Sequence, residues 1–185
     1  YFDQLDVKNF LSNDSLFINF IRSEIFNNKN LNMDVVFKFK KIKNNKFLNN
    51  LILKTYIEEG NLIISNSSIN WKDAVDIKII DAQINNNDND INLIGKIILN
   101  FNKPKKFYSS FQVNKLFRKN LKIIEFDFNY ELTKQNLYLD NVKINNNSIV
   151  KLEKFINKFN TSGDVLNNKI LFKSFVNNFF KAYSG

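Results

Sequence analysis

The sequence predicts a mainly β fold with flanking helices: a curled antiparallel meander forming a groove, with amphipathic helices at both ends. Three observations carry that class. Apolar and polar residues alternate along many short stretches, most cleanly in 123–132, "IIEFDFNYEL", which is the period-two mark of a strand with one greasy and one wet face. Turn residues separate these stretches every ten to fifteen residues, with no helical pattern read between Lys46 and Ile144, so hairpins are expected rather than βαβ units. Both ends of the chain switch to helical spacing.

The elements follow in order. Residues 1–30 read as a helical lead-in, with Ser12 and Asp14 as candidate N-caps and Phe17, Phe20, Ile21 and Ile25 as its apolar stripe. From Met33 the period becomes two: Met33, Val35, Phe37 and Phe39 alternate with Asp34, Val36, Lys38 and Lys40. Residues 51–57 form a strand, Glu58–Asn61 a turn in which Gly60 takes positive φ, and 62–71 the returning strand. Lys78–Ile84 is a strand, and "NNNDND" (85–90) a polar loop. In Ile91–Phe101, Leu93, Gly95, Ile97, Leu99 and Phe101 share one face. Pro104 marks a break, after which Phe107–Val113 reads as a further alternating strand. Residues 123–132 and Leu137–Ile144 complete about eight strands. Two aromatic helical stripes close the chain, Leu152, Phe155, Ile156, Phe159 and then Phe172, Phe175, Val176, Phe179, Phe180, Tyr183, with Gly163 between them. The chain is thus one segment: lead-in 1–30, β-groove 31–145, C-terminal helices 150–185. The helix at 172–183 is expected to dock on the sheet rather than lie on a membrane.

Composition narrows the function. At 185 residues the chain can bury a core without staples. It has neither Cys nor His, so the commonest metal ligands and the commonest general base are missing. It begins at Tyr1 without Met, which suggests a piece of a longer protein, and no window approaches the ~20 apolar residues of a membrane span. The net charge is +9. Asn, Lys, Ile and Phe are all heavily used, as a low-GC genome encodes, and Lys is read as scattered, densest at Lys38, Lys40, Lys41, Lys43 and at Lys103, Lys105, Lys106. A solvated surface is the default reading and no nucleic-acid partner is expected.

Candidate chemistry is thin. The four glycines lie far apart and make no phosphate loop. The acid pairs Glu58–Glu59 and Asp88–Asp90 fall in expected turns, where carboxylates serve solubility and turn geometry. "NDND" lacks the Gly and distal Glu of a Ca²⁺ loop. Trp71 reads as a core anchor, Tyr108 and Tyr138 have no base beside them, and Asn66-Ser67-Ser68 matches a glycosylation pattern that an Asn-rich chain produces by chance. No enzyme, cofactor or metal is expected. What stands out is twenty Phe and six Tyr. A sheet of eight strands needs a cover for its greasy face, and the end helices suffice for only part of it.

The order of segments resembles the C-terminal region of the AsmA-like family, which includes the TamB and YhdP relatives. The resemblance rests on "NNKNLNMDVVFKFKKIK" and "FLNNLILKTYIEEGNLIISNSSINWKD", with Leu31, Val35, Phe37, Ile42, Leu48, Leu51, Leu53, Gly60, Leu62 and Ile64 in place, then "INLIGKIILNF", "FYSSFQV" and "NLYLDNVKI". It covers residues 30–145 best. It implies a bacterial envelope protein in the periplasm, held at the inner membrane through a part outside this segment. Such a protein has an apolar groove that binds or conducts phospholipid and serves outer-membrane assembly, with other envelope proteins as partners. The family has no catalytic motif to inherit. The residues expected to line the groove are Phe37, Phe39, Ile97, Leu99, Phe101, Phe126, Phe128 and Tyr130. The alternative is a structural or adhesive β-module with a closed core and a partner-binding surface.

Overall fold

The computed structural model describes residues 1–12, 14–23, 28–87, 90–134, 136–158, 161–162 and 168–185. The protein is mainly β with flanking helices. One sheet holds β1 (Phe2–Leu5), β2 (Met33–Ile42), β3 (Asn45–Glu58), β4 (Asn61–Ile64), β5 (Ser67–Trp71), β6 (Val75–Asn87), β7 (Asp90–Phe101), β8 (Ile123–Glu131), β9 (Asn136–Ile144), β10 (Asn147–Ser148) and β11 (Thr161–Ser162). Neighbours in space are mostly neighbours in sequence, as a meander requires, and every pairing is antiparallel except β1 on β2. Short β10 and β11 share the outer edge of β9. The helices are α1 (Val7–Phe10), α2 (Leu16–Arg22), α3 (Pro104–Phe111), α4 (Val150–Lys158) and α5 (Lys169–Ser184), with a 3-10 turn at Lys115–Phe117.

Four readings of the sequence change. The lead-in is not wholly helical. Phe2–Leu5 is a strand, because Phe2 stacks on Phe39 at 5.1 Å while Asp3 and Asp6 meet Lys40 and Lys43. The helix caps are Asp6 and Ser15, whose side chains accept from Asn9 N and Ile18 N, rather than Ser12 or Asp14. Second, the expected strand Phe107–Val113 is instead the helix α3. Pro104 stands in its first turn, where its missing N–H costs nothing, so the proline opens an element instead of only ending one. Its inward residues, Phe107, Tyr108 and Phe111, follow helical spacing. Third, the loop 85–90 is largely paired: β6 runs to Asn87 and β7 starts at Asp90. Fourth, the returning strand 62–71 is broken at Ser65–Asn66 into β4 and β5. Ile25, Asp88, Phe159 and Gly163 lie outside the described residues.

That break belongs to a line of irregularities crossing the sheet. Asn66 stands between β4 and β5 with φ 52°, and Asp81 bulges from β6 with φ 50° opposite it. Gly95 follows on β7. Asn141 then bulges from β9 with φ 50° opposite β8. Bulges bend strands and raise twist, so this line creases the sheet across its strands. Among the described residues, eight of the eleven non-glycine residues with positive φ are Asn or Asp, which tolerate the left-handed region best. Part of the heavy Asn usage is therefore structural, beyond codon drift. At the break, Ser67 is wholly buried, and its hydroxyl serves β3 by accepting from Lys54 N (2.9 Å) and donating to Lys54 O (3.3 Å). This keeps backbone groups paired where the ladder lapses.

Candidate apolar groove

Register places the eight expected residues on one face of the sheet. Phe37 pairs with Leu53 and Phe39 with Leu51. Ile97 pairs with Phe126, Leu99 with Ile124, Gly95 with Phe128 and Leu93 with Tyr130. Direct antiparallel partners point to the same side, so alternation carries this face from β2 to β9.

Helices stand on this face at both strand ends. At one end, Ile18 and Ile21 of α2 pack with Ile57, Leu62, Ile84, Ile91 and Leu132. At the other, α3, α4 and α5 cover Val75, Phe101, Ile124, Val142 and Ile144, with Phe179 and Phe180 at the centre. Between these walls lies a third, smaller cluster of Ile64, Ala82 and Phe128, ringed by half-buried Leu53, Ile79, Leu93, Ile97, Phe126, Tyr130, Leu137 and Leu139. Between its two helix-covered ends the face keeps an apolar strip, here called the trough. From Leu93 at one wall to Leu99 at the other its floor runs six residues, about 20 Å, and from β2 to β9 it spans about 29 Å of strand spacing.

The eight residues divide among these regions. Leu99 and Phe101 sit under the C-terminal helices, Phe101 edge-on to Phe107 at 5.0 Å. Tyr130 bridges the α2 wall and the floor, and burial raises its phenol pKa, keeping it neutral. Ile97 and Phe128 make the floor itself, and Phe126 bridges the floor and the cluster under the C-terminal helices. Phe37 and Phe39 form its β2 end together with Phe2, which is 53% exposed. The sequence reading missed Phe2, Leu53, Ile64, Ile79, Leu137 and Leu139. The alternation of Leu53 and Ile79 was a usable signal for two of them. Phe2 reaches the strip only through a pairing 37 residues distant in sequence, which no local pattern announces.

The strip carries little polarity. Thr55 is buried there and its hydroxyl donates to Val35 O at 3.2 Å. The buried amide oxygens without a partner, on Asn49, Asn92 and Asn129, belong to the opposite face. Elsewhere, Glu59 and Gly60, with φ 50° and 81°, make the tight turn into β4. Asp90 pairs with Lys134 at 3.2 Å. Trp71 is an anchor among Phe47, Phe107 and Phe111 at 6.3, 5.4 and 5.5 Å. Tyr138 is exposed on the outer face. Asn66 is exposed but Ser67 beside it is fully buried. Among the described residues no three Asp or Glu side chains gather as metal ligands. Two open hollows of about 370 and 380 Å³ lie at the β2–β3 strand ends, around Met33, Asp34 and Tyr56, and between α4 and α5, around Lys151 and Lys181.

Compared with family models, curated proteins and solved structures, the chain matches none of them.

Proposed function

We propose that this chain is a lipid-holding β-groove of the AsmA-like kind, serving phospholipid transport or outer-membrane assembly in the periplasm of a bacterial envelope. In this reading it is held at the inner membrane through another part of its protein. One observation supports the reading above the others: Leu53, Ile79 and Ile97 remain half-buried on the sheet face and, among the described residues, belong to neither of the two helix-covered clusters. The floor is longer than the ~15 Å depth that acyl chains fill in one leaflet. Each methylene taken from water is worth about 0.8 kcal/mol, so a dozen contribute roughly 10 kcal/mol before the cost of association. Work of this kind is binding and needs no acid, base or nucleophile.

The test is native mass spectrometry and lipid extraction of the purified protein, beside a Phe126→Asp, Phe128→Asp variant. The native chain is expected to carry phospholipid and a folded variant to carry none. Equal lipid in both would remove these residues from the groove. A structural or adhesive module is the second reading, favoured by the burial of Phe39, Phe101 and Phe128 without any ligand. It predicts a native chain that stays lipid-free even after incubation with liposomes.

A further inference from the structure

We propose that the helical cap made of residues 102–122, α4 and α5 is a docking surface for an anionic phospholipid membrane, seated through the turn that presents Leu116. Lysines spread along the sequence come together in the fold. Residues 102–122 hold Lys103, Lys105, Lys106, Lys115, Arg118, Lys119 and Lys122 and no acid. α4 and α5 add three lysines each, against the single acid Glu153. The cap therefore has thirteen cations and one acid, net +12, while the rest of the chain has fourteen cations and seventeen acids, net −3. The whole excess of positive charge, and more, sits at one end of the strands.

These segments are one body. Asn177 of α5 donates to Phe111 O of α3 at 2.9 Å, the Ser184 hydroxyl to Phe117 O at 3.0 Å, and Lys119 Nζ to Ser184 O at 3.1 Å. The turn at Lys115–Phe117 is fixed from both sides. The Asn114 side chain accepts from Leu116 N at 3.0 Å, and Arg118 Nε donates to Val113 O at 2.9 Å. Phe117 turns inward against the helices, and Leu116 is left 81% exposed, with Lys115, Arg118, Lys119 and Lys122 close to it in sequence and all exposed. An exposed aliphatic tip on a segment rich in cations suits the boundary between headgroups and acyl chains.

The chemistry of the exposed groups selects lipid over nucleic acid. The large exposed apolar residues of the cap are Leu116, Val150, Ile170 and Leu171, all aliphatic. Its rings, Phe107, Phe111, Phe117, Phe172 and Phe175, are half-buried against one another and the core, leaving no platform on which bases stack. The surface is separate from the trough floor, and because these helices form one wall of the trough, docking brings that wall to the headgroups.

The experiment is co-sedimentation of the full chain with phosphatidylcholine vesicles, with and without about 30% phosphatidylglycerol. Binding is expected only with the anionic lipid, and is expected to fall as salt rises. Lys115→Glu with Lys122→Glu should weaken it about thirtyfold or more, and Leu116→Asn alone should weaken it with the net charge unchanged. Both changes are at exposed positions, and circular dichroism checks that they fold. Equal binding to neutral vesicles, unchanged binding by the double variant, or displacement of anionic vesicles by a single-stranded oligonucleotide overturns the proposal. The Phe126→Asp, Phe128→Asp variant separates this surface from the groove: it should lose bound lipid yet still sediment with anionic vesicles.

Discussion

Gly95 shows how one missing atom shapes the sheet. The β6 bulge drives Ala82 toward β7, so a Cβ at position 95 would lie 2.5 Å from Ala82 Cβ and 2.6 Å from its Cα. The requirement is close approach, not backbone freedom. Phe128, the register partner of Gly95, packs with Ala82 in the same buried cluster. Gly95→Ala is expected to cost about 1–3 kcal/mol through overpacking, read as a lower urea midpoint. Adding Ala82→Gly should recover little, since the Cα remains in the way; an unchanged midpoint for Gly95→Ala would refute the contact. Tyr108 is the other telling residue. Its hydroxyl donates to Lys119 O at 2.8 Å, and burial, with Tyr183 nearby, raises its pKa far above the phenol's ordinary 10.0. The folded value exceeds the unfolded one, so the contribution of this phenol is whole below pH 10.0 and is lost as pH climbs toward the folded value. Tyr108→Phe should cost about 1 kcal/mol at neutral pH. It should also flatten the loss of stability above pH 10.0, which urea titrations on both sides of that value would reveal.

Among the elements, β1 depends most on conditions. It is short, it pairs in parallel, and Asp3–Lys40 at 3.0 Å and Asp6–Lys43 at 2.8 Å tie it down in the open. Hydrogen bonding to Lys40 lowers the Asp3 pKa below 3.8, and hydrogen bonding to Lys43 and to Asn9 N does the same for Asp6. With folded values below the unfolded ones, these carboxylates help β1 fully above pH 3.8 and stop helping as pH falls through the lower folded values. Ring-proton shifts of Phe2 should therefore move to those of a free side chain on acidification, and part of the way in high salt, while β6 and β7 persist. Shifts that stay native through that range would mean stacking on Phe39 alone holds the strand. β1 also marks what a sequence conceals. The central strands were legible because each carries its own alternation, as Leu93 to Phe101 and Ile124 to Leu132 do. β1 was not, because its partner lies in β2, and neither were β10 and β11, two-residue strands without a pattern. α3 was misread because Phe107, Phe111 and Val113 fit a period of two about as well as Phe107, Tyr108 and Phe111 fit a helix. Pro104 decides between them only when it is seen as a helix's first residue. Of the expected groove residues the face was legible; which of them the helices cover was not, since helix docking is set by tertiary packing.

At the scale of the whole molecule, two features act together. The accessible surface is 11477 Å², where a compact 21.9 kDa chain has about 9,300 Å². The chain thus exposes more surface than a compact one of its mass. The charge is unevenly placed as well, so one wall is strongly cationic while the floor is apolar and nearly free of polar groups. A molecule of this form gains stability from an amphiphile that completes the burial of the half-buried strip. A ligand that binds only the folded state adds about 2.7 kcal/mol at a hundred times its Kd. For a domain of this size that raises Tm by roughly 5–10 °C. Adding lysophosphatidylcholine below its micelle concentration should therefore raise Tm with the logarithm of its concentration. In the Phe126→Asp, Phe128→Asp variant Tm should stay flat, because a carboxylate on the floor must be desolvated when a chain lies over it. Leu116→Asn should respond like the native chain, since Leu116 stands outside the trough. A native Tm indifferent to the amphiphile, in a chain that arrives lipid-free, would mean the floor closes on itself in solution, and the protein would then belong with the structural β-modules.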